Sequence, residues 1–320
     1  MFSFRRNFFS SNTNDISREL EQNLKEIKDL GKVPTDLDLH RACAIPKDNI
    51  IITLNDSSLI TWDIKTLKKQ AGYPVPRLVF SSQNLTFITE LKLLLVTFKS
   101  NESSIFSLRG KPRLLCKSPV ALPYTEYINP LNIVISFGKD LLSIWGIFNK
   151  QVYCTIKGSF HTIKFLKGLN KIAAFEGLFC ELYVYDIDPE KKTLRNRKQL
   201  YSNDNSFGCI NQIEWFENRN LLLVTDSVIG MVKMFSCKNE QWQEIRTIEK
   251  EGFLSHALRL NSELVFLSWT NRGKIESFLF EHRKNKVQSL KAKIQKIHFY
   301  SPEKKIFASN KDDGLVLWGF

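Results

Sequence analysis

The chain has 320 residues, long enough for one large domain or two small ones, and 43% of them are hydrophobic. No apolar run approaches the roughly 20 residues that a membrane-spanning helix needs, which argues against a transmembrane protein. The formal charge of +13 permits partners that carry negative charge, such as nucleic acid, an anionic membrane or an acidic protein. The six cysteines are widely spaced and include no Cys-x-x-Cys pair, which favours free thiols in a reducing compartment over a disulfide framework or a zinc site.

Residues 1–14 contain two arginines and no acidic residue. This composition is typical of mitochondrial presequences. Phe2, Phe4 and Phe8 also share one face at a period of two, which suits a β-strand equally well. We therefore expect a tail that is either a strand of the fold or a targeting segment, and we expect the protein in the cytoplasm or nucleus, with the mitochondrion as the alternative.

Residues 15–31 are predicted to form an amphipathic helix. Asn14 or Asp15 can cap its start, and Gly31 can end it. The helix would either pair with another chain as a short coiled coil or pack against its own domain. Its apolar stripe has spacings of three and four residues and consists of Ile16, Leu20, Leu24, Ile27 and Leu30.

From residue 39 onward the chain is repetitive. Short segments rich in Ile, Val, Phe, Leu and Tyr alternate with turns that carry Asn, Asp, Gly, Ser and Pro, which predicts β-strands. An aromatic residue ends a pair of predicted strands seven times, at intervals of 44, 39, 40, 50, 43 and 40 residues, which is the period of a propeller blade. These signature aromatics are Trp62, Phe106, Trp145, Tyr185, Phe235, Phe278 and Trp318.

Particular motifs within these repeats resemble the WD-repeat family. Thr61-Trp62-Asp63 looks like the dipeptide that names the family, and Tyr185-Asp186 is a chemically similar version. Residues 297–309, IHFYSPEKKIFAS, are similar to its inner strand, turn and second strand. The resemblance covers about residues 39–320 and implies an all-β, seven-bladed β-propeller of four-stranded antiparallel blades at 32–320, preceded by the short α-helix.

If the hairpin that ends at Trp318 closes the array, we expect its blade to lack an outer strand, because only two residues follow Trp318. Backbone groups at the edge of that blade need a partner from elsewhere. Residues 2–9 are the favoured source, and residues 32–37 are the alternative.

The family's structural hydrogen-bond network is incomplete in this sequence. In the family it joins a His, a Ser or Thr, an Asp and the Trp. Gly146 and Gly319 stand where the Asp would follow Trp145 and Trp318, and Leu290 occupies roughly one His position. We therefore expect the blades to be held mainly by apolar packing.

The chain shows none of the sequence patterns that indicate catalysis. It has no Gly-x-Ser-x-Gly elbow, no phosphate-binding Gly-rich loop and no dinucleotide fingerprint. Its five histidines are isolated from one another and from cysteines, so no metal site is predicted. We predict neither enzymatic activity nor a cofactor, and no catalytic residue.

The favoured function is a scaffold that mediates protein–protein interactions within a multiprotein complex. WD-repeat propellers usually bind partners through loops on one rim, which implies that the residues in those loops contact protein. A Trp beside Arg272 would be a plausible hot spot, although Trp269 suits burial inside a blade as well. The predicted partner-binding residues are Arg77, Lys99, Lys139, Trp269, Asn271, Arg272 and Lys311.

RNA binding within a ribonucleoprotein is the alternative function. Residues 272–311 hold eleven basic and three acidic residues, and aromatic side chains lie nearby. The predicted phosphate contacts are Arg283, Lys284, Lys286, Lys291, Lys293 and Lys296, and a second basic stretch contains Lys191, Lys192, Arg195, Arg197 and Lys198. A solvated sheet edge explains both stretches without any RNA, because lysines on outer strands discourage edge-to-edge pairing.

Overall fold

The computed structural model of the chain consists of β-strands joined by turns. The residues that it describes are 25–32, 42–45, 50–54, 58–63, 66, 68–74, 82–88, 90–98, 103–109, 112–120, 122–177, 181–202, 210–227, 230–259, 264–281, 286–290, 294, 296–301, 305–309 and 314–319. Within these ranges the helical segments are two single 3-10 turns, Asn129–Leu131 and Glu217–Arg219.

The strands follow one another along the chain at short intervals. The first thirteen are β1 (Lys25–Lys32), β2 (Ala42–Ile45), β3 (Ile50–Leu54), β4 (Ser58–Asp63), β5 (Lys69–Pro74), β6 (Ser82–Ile88), β7 (Leu93–Phe98), β8 (Ser103–Ser107), β9 (Arg113–Lys117), β10 (Tyr124–Ile128), β11 (Ile133–Phe137), β12 (Leu141–Gly146) and β13 (Val152–Lys157). The next eight are β14 (Phe160–Leu166), β15 (Lys171–Glu176), β16 (Glu181–Asp188), β17 (Thr193–Tyr201), β18 (Ile210–Phe216), β19 (Leu221–Asp226), β20 (Met231–Lys238) and β21 (Gln241–Glu249). The last seven are β22 (Phe253–Arg259), β23 (Leu264–Asn271), β24 (Lys274–Glu281), β25 (Lys286–Leu290), β26 (Lys296–Ser301), β27 (Lys305–Ser309) and β28 (Gly314–Gly319).

These strands form seven four-stranded sheets, six of which use four strands consecutive in sequence. The six are β2–β5, β6–β9, β10–β13, β14–β17, β18–β21 and β22–β25, and the seventh has the order β1, β28, β27, β26. The sequence predicts an outer strand after each of the first six signature aromatics, at 67–73, 112–117, 150–157, 193–201, 242–248 and 286–291, and these predictions correspond to β5, β9, β13, β17, β21 and β25. These predictions succeed because apolar runs of strand length alternate along the sequence with groups of turn residues.

The chain divides into two compact units, one of residues 33–254 and the other of residues 1–32 with 255–320. In the first unit, the first strands of consecutive sheets lie against one another, β2 beside β6, β6 beside β10, β10 beside β14 and β14 beside β18. Each apolar cluster of this unit spans two neighbouring sheets. One of them joins Ile144 of β12 to Ile172 of β15.

Burial changes across each sheet from the middle to the outer strand. All five residues of β11 (IVISF) are buried, whereas most residues of β9 and β17 on the fourth-strand edge are exposed. A middle strand is covered on both faces by neighbouring sheets, so its sequence is mostly apolar, and an outer strand meets water.

The predicted helix over residues 15–31 is wrong for residues 25–31, and residues 15–24 lie outside the described part of the chain. Residues 25–30 lie in β1, which pairs antiparallel with β28 and aligns Glu26 with Trp318. Ile27 and Leu30 therefore belong to a strand and cannot share a helical stripe with Ile16, Leu20 and Leu24, which lie outside the described residues. The backbone edge of β28 satisfies its hydrogen bonds by recruiting this segment, and that pairing overrides the local helical periodicity.

The source of the missing strand was also predicted wrongly. A segment from near the N-terminus does complete the last sheet, but it is β1, not residues 2–9 or 32–37. Residues 1–14 lie outside the described part of the chain, so their role as a strand or a targeting segment stays a prediction.

Candidate protein-interaction surface

In residues 33–254, one end of the sheets is built from a repeated backbone hydrogen bond. It joins the connection that leaves a fourth strand to the turn between the second and third strands of the same sheet. The N–H of Ser118 donates to the carbonyl of Ser103 (2.8 Å), that of Gly158 to Asp140 (3.0 Å) and that of Lys250 to Gly230 (3.2 Å). We call this end the upper rim. Because backbone groups secure these turns, their side chains are free to vary in chemistry.

The opposite end, which we call the lower rim, has its own repeated bond. In four sheets of residues 33–254, the turn after the first strand ends in a residue with positive φ, and its carbonyl accepts a hydrogen bond from the end of the third strand. The bonds run from Leu108 to Lys92 (2.8 Å), Ile147 to Asn132 (3.2 Å), Ile187 to Asn170 (3.0 Å) and Cys237 to Asn220 (2.8 Å). Asn tolerates the left-handed conformation well, which explains its recurrence there.

Some of the predicted partner-binding residues lie in turns of the expected kind. Lys139 is exposed between β11 and β12 on the upper rim. Arg272 is exposed between β23 and β24 with a φ of 47°, and Asn271 is half-buried beside it. Arg77, Lys99 and Lys311 lie outside the described residues. Contact of any of them with a partner stays a prediction.

Trp269 is buried rather than displayed on a rim. It is only 2% exposed and meets the ring of Phe278 edge to face, with centroids 5.4 Å apart. Of the two alternatives for this residue, burial inside the blade is therefore correct, and the proposed hot spot is wrong. Trp269 lies on β23, a middle strand of its sheet, in which residues 265–269 are all buried.

The predicted RNA contacts are mostly beyond the described residues. Lys286 begins β25 and is half-buried, and Lys296 begins β26. Arg283, Lys284, Lys291 and Lys293 are not among the described residues, so the basic surface stays a prediction.

The other basic stretch is partly neutralised by its own sheet. Arg195 pairs with Asp188 at 3.3 Å, and Arg197 pairs with Glu176 at 3.0 Å while its guanidinium lies 3.7 Å from the ring centroid of Tyr183. Burial lowers the pKa of Arg197, but the Glu176 carboxylate and the hydroxyls of Tyr185 and Tyr183 together outweigh burial and leave the pKa raised. These arginines stabilise the outer strand of the β14–β17 sheet, which favours the sheet-edge explanation for them.

The six signature aromatics whose side chains are described are all buried: Trp62, Phe106, Trp145, Tyr185, Phe235 and Phe278. Three of them donate a hydrogen bond to the residue nine positions earlier. Trp62 bonds Thr53 (2.8 Å), Trp145 bonds Ser136 (2.8 Å) and Tyr185 bonds Glu176 (2.6 Å). The blades thus combine apolar packing with a polar contact between the aromatic side chain and the second strand.

Each third strand of residues 33–254 also carries an irregularity at its aromatic. The pairing with the fourth strand shifts register next to Trp62, Phe106, Trp145, Tyr185 and Phe235. Such β-bulges bend a strand and re-aim a side chain, here the aromatic ring that enters the core.

Sequence reasoning missed one cluster on the lower rim. Asn149 and Tyr153 of the β10–β13 sheet meet Lys192 of the next sheet. The glycine in place of the family's Asp at position 146, followed by Asn149 and Lys150, was the signal that could have located it.

Chemistry of other kinds is not evident in the described part of the chain. No group of three or more His, Cys, Asp or Glu side chains there could hold a metal ion. No helix in those residues is long and apolar enough to cross a membrane. Cys116, Cys154 and Cys237 carry free thiols, and burial raises the pKa of Cys237.

Repeated four-stranded antiparallel sheets, with first strands side by side in residues 33–254 and rims made of short turns, define a β-propeller fold. Raptor from Chaetomium thermophilum is similar in structure, with a TM-score of 0.69 and 14% sequence identity. That similarity covers 96% of this chain but 30% of the Raptor chain. The Cps50 (Swd1) beta-propeller domain from Myceliophteria thermophila is also similar, with a TM-score of 0.65 and 12% identity over 92% of this chain and 99% of that domain. No family model and no curated protein matches the sequence.

Proposed function

We propose that this chain is a non-enzymatic scaffold that holds protein partners within a multiprotein complex. The observation that carries the proposal is the repeated backbone bond of the upper rim, which leaves side chains such as Lys139 exposed on a framework that does not depend on them. Such a surface suits protein recognition, in which side chains vary and the supporting sheets do not.

The seven-bladed prediction belongs to this proposal. The seven aromatics at blade spacing and the seven four-stranded sheets support it. Residence in the cytoplasm or nucleus is proposed with it, since the cysteines suit a reducing compartment.

The test is crosslinking of the tagged chain in cells, followed by purification and identification of the crosslinked proteins. We expect one or a few partners in fixed stoichiometry. Recovery of the chain as a free monomer, with no protein crosslinked to it, would contradict the proposal.

A further inference from the structure

The contact between Tyr153 and Lys192 joins two consecutive sheets at the lower rim. Tyr153 lies on β13, and Lys192 lies in the turn before β17. The Lys192 ammonium donates to the Tyr153 hydroxyl at 3.2 Å and stands 4.6 Å from the centre of its ring. The side-chain amide of Asn149 donates to the same hydroxyl at 2.8 Å. We call Asn149, Lys150, Tyr153 and Lys192 the Tyr153 cluster.

The Tyr153 hydroxyl has an unused donor in this arrangement. A phenol offers one hydrogen and two lone pairs. Asn149 and Lys192 both donate to its oxygen, and no described residue accepts its hydrogen. The hydrogen bond from Asn149 lowers the pKa of this phenol, and Lys192 lowers it further, while burial acts in the opposite direction. The lowered pKa makes the hydroxyl a better hydrogen-bond donor. Its hydrogen is therefore available to an anionic acceptor.

The charge around this hydroxyl is also suited to an anion. Lys150 is exposed in the adjoining turn with a φ of 57°, a conformation that costs a lysine more than an asparagine, and it forms no ion pair with any described residue. Asp188 in the facing turn is engaged by Arg195 and by two backbone N–H groups, which leaves Glu190 as the exposed carboxylate of that turn.

The cluster exists because the family's Asp is absent from this sheet. In the first sheet, Asp63 fills that position and accepts hydrogen bonds from the backbone and side chain of Thr66 at 2.8 and 2.9 Å. In the β10–β13 sheet the residue is Gly146, and a Cβ there would lie 2.1 Å from the Asn149 side-chain oxygen and 2.8 Å from the Tyr153 hydroxyl. The glycine both removes a carboxylate and makes room for the two donors.

Apolar surface adjoins the cluster. Phe148, in the same turn, is 65% exposed, and Val152 at the start of β13 is 43% exposed. An exposed Phe beside cationic groups is the combination that an acidic segment with apolar side chains would contact.

We propose that the Tyr153 cluster binds a carboxylate of an acidic, apolar-containing segment of a partner protein, with the Phe148 ring packing against the segment's apolar residue. The proposal rests on the scaffold function and specifies one docking surface for it. The Tyr153 hydroxyl and the Lys192 ammonium would donate to the carboxylate, and Lys150 would add attraction.

The test uses the purified full-length chain and a fluorescein-labelled peptide of about 12 residues, built from repeats of Asp-Glu-Phe, with binding followed by anisotropy. Tyr153→Phe removes only the hydroxyl, and Lys192→Gln removes only the charge. We expect each variant to bind the peptide about 10-fold more weakly, as loss of a hydrogen bond to a charged group should. Gly146→Ala, which displaces Asn149, should weaken binding too.

Lys167→Gln is the matched control, because Lys167 is also an exposed lysine of the lower rim but pairs with Glu217 at 3.3 Å. It should bind the peptide as the unaltered chain does, and a peptide with Lys in place of Asp and Glu should not bind. The thermal midpoints of all variants show whether each one is folded. If Tyr153→Phe is unstable, Lys192→Gln still tests the proposal, because Lys192 lies in a surface turn.

Absence of saturable peptide binding would overturn the proposal, as would equal affinity in the unaltered chain and Lys192→Gln. Binding of single-stranded oligouridine through these residues, without peptide binding, would overturn it in favour of RNA. If Tyr153→Phe and the unaltered chain crosslink the same partners equally while neither binds the peptide, this site is wrong and the scaffold function stands.

Discussion

A hydrogen bond from the Trp145 indole to the Ser136 hydroxyl lies inside the packed blades at 2.8 Å, where both residues are fully buried. The same bond recurs between Trp62 and Thr53. At the equivalent position of the second sheet, Phe106 has no donor, and Thr97 instead bonds Ser103 at 3.1 Å. Each buried hydroxyl thus has a partner whichever aromatic is present, as a low-dielectric environment requires.

We predict that Trp145→Phe and Ser136→Ala each lower the free energy of unfolding by about 1 to 3 kcal/mol, because each leaves the other polar group buried without its partner. The double variant should cost less than the sum of the two, since it leaves neither group unsatisfied. Urea denaturation of all four proteins measures this coupling. Strict additivity would show that the bond contributes nothing.

A second residue-scale prediction concerns acid stability through Asp186. Burial raises the pKa of this carboxyl, but hydrogen bonds from Lys171 and Asn196 outweigh burial and hold the pKa below its ordinary value of 3.8. A group with a lowered pKa stabilises the fold above its unfolded pKa, and this stability is lost as the pH falls through the folded pKa. As the pH falls below about 5, Asp186→Asn should therefore lose less unfolding free energy than the unaltered chain loses. At neutral pH the variant should be less stable than the unaltered chain.

Denaturation curves at a series of pH values measure this effect. Asp140→Asn, which changes an exposed carboxylate of the upper-rim turn, controls for the change in net charge. An acid profile of Asp186→Asn that parallels the unaltered chain would contradict the prediction.

At the scale of elements, β1 is the strand that the sequence pattern predicted least well. Its apolar residues follow helical spacing, yet residues 25–32 pair with β28 with two register irregularities. An unpaired strand edge lacks backbone hydrogen bonds and can pair with other chains, which leads to aggregation. Because β1 covers the edge of β28, it should stabilise the fold.

Deletion of residues 1–32 should lower the thermal midpoint by about 5 °C or more and promote aggregation, because β28 loses its outer neighbour. Deletion of residues 1–12 is the matched control, as it retains β1. Differential scanning calorimetry and light scattering compare the two shortened chains with the full chain. If both deletions have the midpoint of the full chain, β1 does not stabilise the sheet.

At the scale of the whole molecule, the charge of +13 does not by itself identify a partner class. Part of the basic side-chain charge is paired internally, as Lys171 with Asp186 and Lys233 with Glu244 show. The scaffold function predicts that binding of single-stranded RNA is weak and that log K falls little with log salt concentration. Titrations from about 50 to 300 mM salt measure the slope, and a steep negative value would favour the RNA alternative, because each phosphate contact releases counterions.

The sequence by itself determined the strand content, the outer strands and the aromatics that enter the core, because these depend on local periodicity and on turn residues. Trp62, Phe106 and Trp145 are buried at the positions that this spacing predicted. Tertiary structure decided the rest. Pairing with β28 converted the helical pattern of residues 25–30 into β1, because backbone groups at a sheet edge outweigh weak helix propensity. Packing between sheets placed Trp269 inside, and the turn before β17 brought Lys192 to Tyr153, since contacts between residues distant in sequence leave no local pattern.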